Sequence, residues 1–142
     1  MNNRWDTFET NLAVEHDQHI RLAHDEQADM LDIFFGENRR GTGVELTEHI
    51  LLRLDRERGR AISLTILDFS ILASPTELGV RSFALTGLDD LPEELRETVV
   101  RIITTPPVNH FLKVTTFYAS PTNQVPLTYV ESPRELAMVA MV

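Results

Sequence analysis

The chain contains no cysteine. Disulfides, a thiolate nucleophile, iron–sulfur clusters and sulfur-ligated zinc are therefore excluded. Long apolar runs are also missing: no stretch approaches the ~20 residues that a membrane helix needs. The opening Met1-Asn2-Asn3-Arg4-Trp5-Asp6 lacks the apolar segment of a signal peptide. A cytoplasmic protein with no membrane attachment is the expectation. Basic side chains are scarce, thirteen against twenty-two acidic ones, for a net charge of −9. A surface that negative repels phosphate backbones, so nucleic acid is not an expected partner unless arginines cluster. The densest basic group is Arg53, Arg56, Arg58 and Arg60, with Asp55 and Glu57 interleaved. It reads as a solvated turn.

Several catalytic signatures are absent as well. Gly41-Thr42-Gly43 lacks the third glycine and the following helix of a phosphate loop. Neither Ser70 nor Ser74 sits in a Gly-x-Ser-x-Gly elbow. No His-x-His or His-Glu-x-x-His spacing occurs.

What is present fits one folded domain spanning 1–142. Hydrophobic residues make up 42% and charged residues 25% of the 142, ordinary values that argue against disorder. Trp5, Phe8 and Leu12 are spaced like one face of a short helix. From His19 the period changes to two. Ile20 and Leu22, then Leu31, Ile33 and Phe35, predict a hairpin around the turn residues Asp25-Glu26-Gln27. The polar loop Gly36 to Gly43 is expected to be mobile. Val44 and Leu46, Ile50 to Leu54, and Ile62 to Leu67 predict three further strands. Gly59 ends the charged turn between the last two, where a positive φ suits glycine. Ile62, Leu64 and Ile66 should face the core, with Ser63, Thr65 and Leu67 on a wetter face.

Asp90-Leu91-Pro92-Glu93 resembles a helix start, with Asp90 as the cap. Leu95, Val99 and Ile102 form its apolar stripe, Glu97 and Arg101 can pair outside, and Pro106-Pro107 stops it. Phe111 to Tyr118 and Val125 to Val130 read as two more strands. Their aromatic residues Phe111, Phe117, Tyr118 and Tyr129 suit core and cross-strand pairs better than a base-stacking platform. The apolar tail Leu136 to Val142 should pack on the domain or on a second copy. The expected class is α+β: an antiparallel meander of short strands with one main helix, about 91–104, packed on the sheet.

The segment His24-Asp25-Glu26-Gln27-Ala28-Asp29-Met30-Leu31-Asp32-Ile33 resembles the opening motif of a family of short bacterial proteins, the domain of unknown function twenty-two eighty-three. Its members read Tyr-Asp-x-Glu-Ala-Asp-x-Leu-Tyr-Ile, then a hairpin with Asp and Gly in its turn, then Ile-Leu-Asp-x-Ser. Asp25, Ala28, Asp29, Leu31 and Ile33 match the opening. Asp55 and Gly59 match the turn, and Ile66-Leu67-Asp68-Phe69-Ser70 matches the ending. His24 and Asp32 replace tyrosines, Gln27 replaces Glu, Ser63 replaces Gly, and the turn is one residue longer. The resemblance covers 19–70 and implies a compact four-strand meander, often homodimeric. Because the family has no established activity, the resemblance is uninformative about chemistry. It leaves 75–142 as a C-terminal α/β elaboration.

Two clusters carry candidate chemistry. Glu15, His16, His19, His24, Asp25 and Asp29 combine imidazole with carboxylate, as a divalent-metal site would. On a strand, however, His19 and His24 point to opposite faces, so a metal is not expected. Asp25, Asp29 and Asp68 are the family-matching acids. They could act together only by converging in a cleft with at least one raised pKa. The alternative is that each bonds the backbone at its turn or strand end. If a site exists here, His24, Asp25, Asp29 and Asp68 are its candidates. No cofactor is called for. The expected function is a non-enzymatic interaction or regulatory module acting as a homodimer, with another protein as a further partner. The alternatives are a small-ligand binder with a pocket between sheet and helix, or a metal-dependent enzyme using the 15–29 cluster.

Overall fold

Period-two alternation drives the first half of the chain into strands. The computed structural model describes residues 7–14, 18–74, 77, 79 and 81–130. Strands β1 (Thr7–Val14), β2 (Gln18–Asp25), β3 (Met30–Phe35), β4 (Thr42–Thr47), β5 (Ile50–Asp55) and β6 (Arg60–Leu67) form one antiparallel sheet in the order β1-β2-β3-β6-β5-β4. The meander is interrupted once. After β3 the chain crosses to the far edge, lays down β4, and returns through β5 so that β6 pairs with β3. That jump places the Gly36–Gly43 loop across the sheet end. At Gly41 a Cβ would overlap the Leu54 carbonyl oxygen and the Ile62 side chain, so this loop is seated on the strands.

The helix predicted from Trp5, Phe8 and Leu12 is instead strand β1, and Trp5 lies outside the described residues. Phe8 and Leu12 are four apart, a spacing that serves one helix face and equally one strand face. Pairing along the whole of β2, with Phe8 opposite His24 and Leu12 opposite Ile20, decides for the strand.

One face of the sheet holds the core. Ile20 and Leu22, Leu31 and Ile33, Leu64 and Ile66, and Leu52 and Leu54 are all at most 2% exposed. Over them lies helix α2 (Glu93–Ile103), which follows the short α1 (Phe69–Leu72). Its buried residues Leu95, Val99, Ile102 and Ile103 repeat at helical spacing. The start differs from expectation: Pro92 is the cap and Asp90 belongs to a preceding 3-10 turn, Thr86–Asp90. A residue before proline is pushed towards extended backbone, and Leu91 adopts ψ 144. Arg96 then closes the junction, its Nε donating to the Leu88 carbonyl at 2.9 Å and its guanidinium to that of Leu91 at 3.0 Å.

After Pro106-Pro107 and a 3-10 turn at Val108–His110, strands β8 (Leu112–Ser120) and β9 (Asn123–Val130) form a hairpin. With β7 (Phe83–Ala84) they make a second sheet in the order β7-β9-β8. Phe111, Leu112 and Val130 join the same core, and the Phe111 ring lies 6.0 Å from that of Phe35. The architecture is thus α+β and mostly antiparallel sheet. The tail Leu136 to Val142 lies outside the described residues. Among the described residues no helix is long and apolar enough to cross a membrane.

Candidate functional site

The four sequence-named candidates do not converge. Asp25 Oδ1 accepts the Ala28 amide at 3.1 Å, holding its own turn. At the end of that turn Asp29 takes a positive φ of 51°, a conformation that Asp tolerates better than most residues. Its carboxylate accepts the Ser70 amide at 3.0 and 3.2 Å and the Ser70 hydroxyl at 2.6 Å. His24 Nε2 stands 3.4 Å from Oδ1, and the Phe69 amide donates to the Asp29 carbonyl at 3.0 Å. Burial alone would raise the Asp29 pKa, but the two Ser70 bonds and His24 outweigh it and hold it below the ordinary value.

Asp68 departs from the expected backbone bond. It sits at φ 54° at the entry to α1 and places Oδ2 3.1 Å from His49 Nδ1. Of the four candidates, then, only His24 and Asp29 meet. The Ser70 hydroxyl donates to the Asp29 carboxylate, whose lowered pKa makes it a weak base for activating that hydroxyl. The assembly fastens the β2–β3 turn to the β6–α1 junction. Glu15 and His16 lie outside the described residues, and His19 enters only through its backbone pairing with Ala13. Among the described residues no three His, Asp or Glu side chains cluster as metal ligands would.

The site that sequence reasoning missed is at the other end of the sheet. The β5–β6 turn, the segment after β3 and the last turns of α2 enclose an open cleft of about 610 Å³. Arg39, Arg58, Arg60 and Arg101 all line it. Phe35, Ile62, Ile102, Pro106 and Pro107 are among its apolar lining, the first three of them buried.

Local geometry explains the convergence. Gly59 adopts φ 63° and its amide donates to the Asp55 carbonyl at 2.8 Å, closing the turn. Asp55 Oδ1 accepts the Arg58 amide at 3.1 Å. The Arg101 guanidinium donates to the Gly59 carbonyl at 3.2 Å and fills the space that a Cβ at residue 59 would take. Arg101 therefore turns away from the Glu97 pairing expected on the helix and towards the cleft.

Charge in the cleft runs against the rest of the molecule. The acids lining it are Glu37 and Asp55, so four arginines against two carboxylates leave two positive charges in a chain of net −9. Arg39 lies 3.4 Å from Glu37 and 4.0 Å from Asp55, and Arg58 3.8 Å from Asp55. These solvent-facing pairs are weak. Arg60 makes no side-chain hydrogen bond or ion pair among the described residues. The interleaved Asp55 and Glu57 made this segment read as a solvated turn. The signal available was Gly59: a left-handed glycine bends the turn so that alternate arginines 58 and 60 share one side. Arg101, some forty residues on, gives no sign in the sequence of joining them.

A second cleft of about 490 Å³ lies between α2 and the β8–β9 hairpin, lined by Asn109, Lys113 and Tyr129 among others. There Lys113 Nζ donates to the Asn109 carbonyl at 2.8 Å. No protein-family model, curated protein or solved structure matches the chain.

Proposed function

We propose that the chain is a non-catalytic binding module for a small anionic ligand held in the arginine cleft. One observation carries this reading: four arginines line a single cleft of an acidic protein, and Arg60 among them has no partner within the described residues. A guanidinium stays protonated at any physiological pH and offers a fork of N–H donors. It is suited to holding an anion and unsuited to moving protons. The two carboxylates beside it are turned towards arginines. A volume of about 610 Å³ lies within the range of small-molecule sites. The cytoplasm is the compartment we assign.

The test is calorimetric titration of small anions against the wild type and Arg60→Gln. Arg60 is exposed, so the substitution should leave the fold intact. A charge-assisted hydrogen bond is worth about 1.5–3 kcal/mol, so saturable binding should weaken at least roughly tenfold in the variant. Saturable binding that is indifferent to Arg60→Gln would place the ligand elsewhere.

Self-association is a second reading with its own support. Among the described residues strands β1 and β4 are the sheet edges, and Leu51, Leu67 and Ile71 are 44%, 42% and 55% exposed. Edges and exposed apolar side chains favour pairing with another copy. A homodimer predicts twice the 16.2 kDa chain mass by light scattering at micromolar concentration. A species that stays at the single-chain mass into high micromolar concentration removes this reading and leaves the cleft untouched.

A further inference from the structure

We infer that the anion is a phosphate monoester carrying a flat apolar group; this rests on the arginine cleft being a ligand site. Charge comes first. The cleft holds an excess of two positive charges, and a phosphate monoester carries about −1.5 to −2 at neutral pH. A monocarboxylate would leave one of these charges unmatched. The three terminal oxygens of the phosphate can each accept, whereas one carboxylate presents two. Arginine pairs with such oxygens in a bidentate way.

The shape supplies the second half. Arg58, Arg60 and Arg101 gather around the β5–β6 turn, while Ala61, Pro106 and Pro107 add the apolar part of the lining that reaches solvent, Phe35 and Ile62 being buried already. Inorganic phosphate alone would occupy a small part of about 610 Å³ and leave Ala61, Pro106 and Pro107 in water. A flat ring attached to the phosphate would cover them and gain by the area removed from water. A polymer of phosphates is a poorer fit. Beyond the cleft the molecule is strongly acidic, and a long phosphate backbone would run onto that surface.

Phenyl phosphate is the probe, compared by calorimetry with inorganic phosphate, benzoate and phthalate at low ionic strength, using wild type, Arg60→Gln and Arg101→Gln. Phenyl phosphate should bind at least tenfold more tightly than each of the other three and lose at least tenfold in Arg60→Gln. Arg101→Gln should weaken it too, and circular dichroism of that variant checks that its turn and helix persist. Arg60→Gln carries the conclusion should Arg101→Gln unfold. Benzoate or phthalate binding as tightly as phenyl phosphate would overturn the phosphate assignment while leaving an anion site in place. Inorganic phosphate binding as tightly would overturn the apolar group alone. Saturable binding by none of the four would overturn both this inference and the function on which it rests.

Discussion

Leu64→Ala is expected to lose roughly 2–5 kcal/mol of folding stability, the cost of emptying a well-packed core site. Leu64 is fully buried at the middle of the six-stranded sheet, opposite Ile33 on β3 and Leu52 on β5. Its surroundings are backbone ladders on both sides, which cannot collapse into the space left behind. The neighbouring Thr65→Ala serves as the control on the other face. Thr65 Oγ1 donates to Asp32 Oδ1 at 2.6 Å, so its loss should cost about 1 kcal/mol rather than nothing. Urea melts of the two variants separate the cases. Equal losses would mean that β6 is out of register by one residue, which exchanges its faces.

Asp29→Ala is expected to cost about 2–4 kcal/mol, from the loss of charge-assisted hydrogen bonds and the strain of alanine at positive φ. The Asp29 carboxylate ties the β2–β3 turn to Ser70 in α1, just after β6. Asp29→Asn should cost less, because asparagine tolerates the same backbone conformation. The sign of the pH effect follows from the direction of the shift. The carboxyl pKa is lowered in the folded protein, so ionised Asp29 stabilises in full above its unfolded pKa of about 3.9. That contribution is lost as pH falls through the lower folded value. The gap between wild type and Asp29→Asn should therefore be widest near neutrality and close in strong acid. A gap that widens below about pH 4 would mean that Asp29 is not held ionised by these contacts.

How legible the fold was depended on the range of the interactions that decide each element. Leu31 to Phe35 and Leu64 to Leu67 alternate between buried and more exposed positions, as a sheet with one buried face enforces, so these stretches could be read directly. The register shift opposite Arg53 and Leu54 could not, and it leaves Ser63 buried and Ile62 outside the main core cluster. Gly59 was legible because a left-handed turn residue is a local requirement. The helix was legible from Leu95, Val99 and Ile102, but its cap was not. The 3-10 turn that claims Asp90 is held by Arg96 reaching back to Leu88 and Leu91, a contact between segments. Strand β1 was misread because Phe8 and Leu12 satisfy both periods and only pairing with β2 decides between them.

The same division governs the site. Asp25 satisfied its own turn, as a short-range reading suggests. Asp29 and Asp68 were recognised as notable, but their partners Ser70 and His49 are brought in by strand order. The arginine cleft draws on three segments that are far apart in the chain, and the acids interleaved in sequence around Arg58 hid its positive character. Of the two, Asp55 sits in the cleft and Glu57 does not line it.

The most direct test of the arginine cleft as the ligand site is amide chemical-shift mapping during titration with phenyl phosphate. Saturable shifts should gather at Gly59, Arg60 and Ala61, at Arg101 and Ile102 on α2, and at Glu37 and Arg39 after β3. Shifts gathered instead around Asp29 and Ser70, or around Asn109 and Lys113, would contradict the assignment, as would a spectrum that does not move.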